Sequence, residues 1–324
     1  MANPSDWAFP PEMQPKPEES RFDLETALQS LVQLRAGVPE DAFTAGILGT
    51  ERIGNGVVIR DDGLVLTIGY LITEAAEIWL NTSTGTVVAG FPLAYDQPTG
   101  FGLVQPLGRL GVPALARGRA ASCRVGDDVV VAAHGGRAHA LKAKVIAKRE
   151  FAGYWEYVLD EALFTAPAHP HWSGAALIAG DGRLLGIGSL LVQEQIGERT
   201  VQGNMVVPID LLEPVLEDMV KLGRANRPAR PWLGLYATEV GGHIVVSGLA
   251  GGGPAERAGA QTGDIVLEVA GERVSGLANL FRKIWRLGAA GVEVPLTLVR
   301  EGAVSRVRVR SADRQDLLKK PPLH

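Results

Sequence analysis

The sequence predicts a mainly β protein of two units, a large all-β barrel or sandwich followed by a smaller α+β unit. Three observations carry that expectation. About ten short apolar segments between Gly54 and Val207 are parted by turns, with little helical pattern between them. Glycine and proline supply 40 and 20 of the 324 residues, which favours tight turns and short strands. After Pro208 an amphipathic helix and a Pro/Arg-rich stretch interrupt the pattern, and beyond them strands alternate with short helices.

Residues 1–22 are rich in Pro and Glu without periodicity and are expected to form a flexible arm. Trp7, Phe9 and Phe22 are apolar for such a segment, so they either anchor it to a neighbouring subunit or fold back on their own domain. Leu24, Leu28, Leu31 and Leu34 recur at three- and four-residue spacing and predict a helix from Phe22 to Ala36. GVVIR, a turn at Asp62-Gly63 and LVLT then read as a hairpin. Further strands are expected around 78–80, 86–91, 102–106, 128–133, 143–147, 157–159, 175–178, 184–189 and 201–207. These segments place the first domain at 23–223, closed by the helix of Leu211, Val215, Leu216, Met219 and Val220 with Gly223 as its cap. Residues 224–231 read as a linker, 232–314 as the second domain, and 315–324 as a frayed tail.

Composition excludes several function classes. A formal net charge of −4 argues against a nucleic-acid-binding surface. The single Cys123 makes neither an internal disulfide nor a thiolate metal cage. No window approaches the roughly 18 apolar residues of a membrane-spanning helix. The first residues lack a basic start and an apolar stretch, so the expected location is the cytoplasm, or the cell envelope for a processed chain. Neither cofactor nor metal is expected. His169 and His171 lack a carboxylate or thiolate to join them and His134 or His139 at a metal, and no helix pattern follows Gly54–Gly56.

Three passages carry chemistry when taken together. GNGVVIRDDGLVLTIGYLI (54–72), YDQPTGFGLVQPL (95–107) and HPHWSGAALIAGDGRLLGIGS (169–189) resemble the histidine, aspartate and nucleophile segments of HtrA/Deg-type, trypsin-like serine proteases. MVVPIDLLEPVLEDMVKLG, then Trp232-Leu233-Gly234-Leu235 and GGGPAERAGAQTGDIVLEVAGERV (251–274), resemble that family's interdomain helix and PDZ domain. The resemblance implies a trypsin-like double β-barrel followed by a PDZ domain.

Carried over one position at a time, the resemblance gives a degenerate catalytic set. The nucleophile position falls on Ser173, the histidine position on Tyr70 and the aspartate position on Gly100. A phenol with a pKa near 10 offers a proton at neutral pH rather than taking one, and Gly100 has no side chain to orient a base. Losing the base is expected to lower acylation on the order of 10⁶-fold. His171 replaces the glycine two residues before the nucleophile, where a strained backbone would disturb the oxyanion donors. In the second domain the resemblance implies a groove in which free N–H groups of Leu233, Gly234 and Leu235 hold a peptide's terminal carboxylate. Leu280 and Ile284 would line its apolar pocket.

The function implied is an HtrA-like pseudoprotease that binds peptides, protein C-termini or unfolded segments as an adaptor, chaperone or regulator of an active relative. Two alternatives stand beside it: a divergent active serine endopeptidase using Ser173, and a structural oligomeric adaptor in which only the PDZ domain binds ligand. The resemblance also implies a homo-oligomer, with a trimer favoured.

Overall fold

Period-two burial sorts the strands. In β1 (Leu31–Gly37) Leu34 and Ala36 are buried while Gln33 and Arg35 are exposed, the signature of a half-buried strand. It pairs with both β2 (Glu51–Val58) and β4 (Glu77–Thr82). With β3 (Val65–Ile68), β5 (Val87–Asp96) and β6 (Phe101–Pro106) it closes a barrel in the order β1-β2-β3-β6-β5-β4. A second barrel runs β10-β11-β12-β9-β8-β7, from β7 (Asp128–Ala132), β8 (Ala140–Gly153), β9 (Tyr157–Ala166), β10 (Ala176–Ile178), β11 (Leu184–Ile196) and β12 (Arg199–Pro208). Closure leaves neither sheet with a free edge.

The computed structural model describes residues 7–197 and 199–320, so residues 1–6 of the expected arm and 321–324 of the expected tail lie outside the described residues. The expected helix at 22–36 is corrected. Asp23 caps a helix α1 of six residues (Leu24–Gln29) by accepting from the Thr26 N–H, and Ser30 ends it. From Leu31 onward, pairing on both sides claims the backbone and overrides the leucine spacing. Two further helices, α2 (Ala45–Leu48) and α3 (Leu216–Leu222), belong to the same unit, and α3 packs on β5. Of the two readings of the aromatic arm, the second holds for the described residues. Phe9 is buried and donates its N–H to the Ala138 carbonyl, and Phe22 lies against Gly182.

The barrels meet backbone to backbone. Asn55 of β2 donates its N–H (2.8 Å) and its side-chain Nδ2 (3.1 Å) to the carbonyl of Ser173, which precedes β10. Such an approach requires glycine on the far side. A Cβ on Gly174, where φ is +76°, would stand 1.9 Å from the Asn55 carbonyl oxygen.

The second compact unit comprises Glu150–Asp160 and Arg227–Leu318. Its sheet runs β13 (Leu235–Val240), β14 (His243–Leu249), β15 (Ile265–Val269), β17 (Glu293–Arg300) and β18 (Ala303–Arg310), with β16 (Glu272–Arg273) beside β15. Two helices, α4 (Pro254–Arg257) and α5 (Leu277–Arg286), complete it. Leu280, Phe281 and Ile284 of α5 are fully buried against Val246, Leu296 and Leu298 of the sheet. Arg300 grips the buried Asp264 through two hydrogen bonds of 2.7 and 2.8 Å, which ties the end of β17 to the turn before β15.

The close approach at the barrel seam gives a direct test. Gly174→Ala adds a Cβ at a left-handed φ with no room for it, and is expected to destabilise the protein by about 3 kcal/mol or more. Gly180→Ala, whose Cβ meets no atom within 4 Å, is the control and should stay within about 0.5 kcal/mol of the parent in urea unfolding.

Candidate functional site

Tyr70 and Ser173 lie 103 residues apart in sequence and meet in space, with the phenol oxygen 2.8 Å from Ser173 Oγ. Tyr70 stands on the short turn Gly69–Leu71 that follows β3. Arg52 fixes this turn by donating to the carbonyls of Tyr70 and Thr73, each at 2.8 Å. The phenol also reaches the Ser189 carbonyl at 2.8 Å. A carbonyl only accepts, so tyrosine's one proton goes to Ser189 and the Ser173 hydroxyl donates its own proton to the phenol oxygen. Burial pushes the Tyr70 pKa up to about 12, outweighing the hydrogen bonds from Ser173 and Trp172 that favour the phenolate. At pH 7 the phenolate therefore lies about 7 kcal/mol above the phenol, and it is no base for the serine.

Gly100 stands behind this pair with φ +83°. Its carbonyl accepts from the Gly69 N–H at 2.7 Å, and its own N–H donates to the Asp96 carbonyl. The Asp96 carboxylate is buried and accepts from the Thr99 N–H. It serves its own turn.

His171 departs from expectation. Its backbone is not strained: Glu74, Glu156, Ala270 and Glu301 are the non-glycines with positive φ among the described residues. Its N–H instead donates to His169 Nδ1 at 3.0 Å. His169 is fully buried and its Nε2 faces the His139 carbonyl at 2.9 Å, so the ring is held as the neutral Nε2–H tautomer. Burial presses the His169 pKa down to about 4. Asn204 clamps the same residue, accepting from its N–H and donating to its carbonyl. The His171 carbonyl accepts from Asn55 Nδ2, and its ring stacks on Trp7 at 5.0 Å while taking the indole N–H. The His171 N–H is thus taken by His169, and its backbone carries no positive φ. Among the described residues no three His, Cys, Asp or Glu side chains converge as a metal site.

In the second unit Leu233, Leu235, Leu280 and Ile284 are fully buried and share one apolar cluster. The expectation of free donors at Leu233–Leu235 is overturned. Both carboxylate oxygens of Glu156 accept from the Leu233 N–H at 3.1 Å, and one accepts from the Leu235 N–H at 2.9 Å. Glu156 belongs to the same unit and is 4% exposed. Burial raises its pKa to about 7, against the opposing pull of the three loop N–H groups and Arg314.

Asn55, His169 and Glu156 were not singled out as site residues by the sequence. Asn55 leaves a faint trace, a polar residue between two glycines in an apolar strand. Glu156 leaves none, since its partners lie 77 and 79 residues away.

Residues 54–187 match the trypsin-like peptidase domain family, and residues 231–310 match the PDZ domain family. The chain is a homologue of the HtrA/Deg proteases. A probable periplasmic serine endoprotease DegP-like of Halomonas elongata is 25% identical over 277 residues, covering 82% of this chain and 57% of the relative. The protein of that name in Pseudomonas putida is 26% identical over 270 residues, covering 78% and 54%. The chain thus spans little more than half the length of these relatives. Among solved structures, the HtrA-type protease AlgW with a tripeptide matches at a TM-score of 0.53 and 19% identity, over 95% of this chain and 99% of that one. A serine endoprotease from Yersinia pestis matches at 0.52 and 21%, over 90% and 96%. These structures establish the HtrA fold for the chain. The expected cytoplasmic location is corrected by the same comparison, because the relatives are named periplasmic, which points to the cell envelope.

The buried His169 sets a pH dependence. Between pH 6.5 and about 4 the unfolded chain takes a proton that the folded ring refuses, so this stability is complete above pH 6.5 and is lost as pH falls to about 4. The expected loss is about 3 kcal/mol; it should be absent from His169→Gln, so the stability difference between parent and variant should shift by that amount in urea titrations across the range.

Proposed function

We propose that this HtrA homologue is a pseudoprotease, which binds peptides, protein C-termini or unfolded segments without efficient proteolysis. One observation carries the reading: the Ser173 proton is directed at a phenol whose own pKa is near 12. Acylation needs that proton to leave, and among the described residues the side chain hydrogen bonded to the hydroxyl, Tyr70, already holds its own proton. The consumed N–H of His171 supports the same reading, since an oxyanion would find that donor committed to His169. On this reading Tyr70 and Gly100 are the degenerate triad positions, Ser173 the idle nucleophile and His171 the altered oxyanion position. The PDZ domain supplies recognition through Leu233, Gly234, Leu235, Leu280 and Ile284.

A fluorophosphonate probe tests the proposal at neutral pH. Ser173 should remain unlabelled, whereas stoichiometric labelling that disappears in Ser173→Ala would overturn the reading. Tyr70→His with Gly100→Asp should recover only a small part of a protease's rate on an unfolded protein such as reduced casein. The double variant leaves the His171 N–H bound to His169 and places a side chain at φ +83°. Full turnover by the double variant would show that the oxyanion donors are intact.

A further inference from the structure

The groove of the second unit is already filled by the protein itself. Its occupant is the tip that joins β8 to β9, whose residues Glu150–Asp160 belong to this unit. Three contacts reproduce what an added peptide strand would make. The Tyr154 carbonyl accepts the N–H of Ala237 at 3.1 Å, on the outer strand β13. The Glu156 carboxylate takes the Leu233 and Leu235 N–H groups, the donors a chain's terminal carboxylate would use. Val158 is buried in one cluster with Leu233, Leu235, Leu280 and Ile284. Arg282 of α5 pairs with Glu150 and Asp160, one at each end of the tip.

We infer that Glu150–Asp160 is an internal ligand of the PDZ groove, in which Glu156 stands in for a terminal carboxylate and an outside chain end binds only by displacing it. This rests on the groove being a peptide receptor, as proposed above. The tip is tethered to its site, so its effective concentration is high and an outside peptide meets mostly closed grooves. Apparent affinity then falls in proportion to the open fraction. Glu156 also holds a left-handed backbone at φ +59°, a conformation non-glycine residues adopt only under constraint, and departure of the tip releases it. The buried Glu156, flanked in sequence by Tyr154, Trp155 and Tyr157, has the loop amides of Leu233 and Leu235 as its hydrogen-bond donors.

The test uses the full chain and a synthetic peptide of about ten residues ending in valine with a free carboxylate, chosen because Val158 fills the apolar pocket. Removing the internal carboxylate in Glu156→Ala should tighten peptide binding by about tenfold or more, read by fluorescence anisotropy. Without peptide, the Leu233 and Leu235 amides of Glu156→Ala should exchange hydrogen at least about tenfold faster than in the parent. Glu156→Gln, which keeps the side chain's shape, should move both readouts in the same direction. In the unaltered protein, saturating peptide should speed exchange across 150–160 while Leu233 and Leu235 stay protected. Unchanged protection of these amides in both variants would overturn the inference, as would peptide binding to the unaltered chain with no change at 150–160. If protection falls in the variants yet no form binds the peptide, the tip remains the groove's ligand and it is the peptide-receptor reading that fails.

Discussion

The carbonyl oxygen of Ser173 is the point on which the first unit depends. Two donors from Asn55 converge on it across the seam between the barrels, and Asn55 spends its other groups nearby. Its Oδ1 accepts from the His134 N–H and its own carbonyl accepts from Thr67 Oγ1. One residue of β2 therefore binds the second barrel's loops and the neighbouring strand together. The approach is close enough that Gly54 and Gly174 have no room for a side chain at the crossing. With the carbonyl pinned, the Ser173 hydroxyl has a fixed origin from which to reach Tyr70.

A common arrangement links the two sites on the proposed reading. Each donor that a visiting or reacting group would need is already satisfied within its own unit. The Ser173 proton goes to the phenol, the His171 N–H to His169, and the Leu233 and Leu235 N–H groups to Glu156. Freeing a buried donor without a replacement costs about 1–3 kcal/mol, so such contacts form closed, low-energy states. They differ in reversibility. The groove's contacts can be exchanged for equivalent ones from an outside chain end, whereas no exchange within the cleft supplies a base.

Much of the fold was legible because its signals are local. Turn residues and period-two burial mark most strands, and the motif positions bring Tyr70, Gly100 and Ser173 into view before any coordinates. The failures have a shared physical origin in contacts that local patterns do not report. Leu31 and Leu34 fit a helix until β2 and β4 pair on either side of them. His171 reads as a strained substitution until a buried histidine two residues earlier turns a ring nitrogen toward its N–H. Glu156 has no local signature at all, because its partners Leu233 and Leu235 lie far away in the sequence. Location was read from the first residues alone, and homology rather than the terminus corrected it.

On the proposed reading, tyrosine at position 70 stands where a catalytic base would and reverses the direction of the proton. Its phenol reaches Ser173 and Ser189 together, as a ring placed between strand and nucleophile must, and the backbone beneath it is held irrespective of chemistry. Arg52 fastens the Tyr70 and Thr73 carbonyls, and Thr73 Oγ1 donates to the Gly69 carbonyl, so the turn keeps its shape whatever side chain it carries. An imidazole there would accept the serine's proton near neutral pH. A phenol already holding its own proton accepts only a hydrogen bond. Stability and reactivity are therefore separable at this position. The hydrogen bond that orders the cleft is the one that keeps the serine's proton in place, so the packing around Tyr70 holds its shape without depending on a reaction at Ser173.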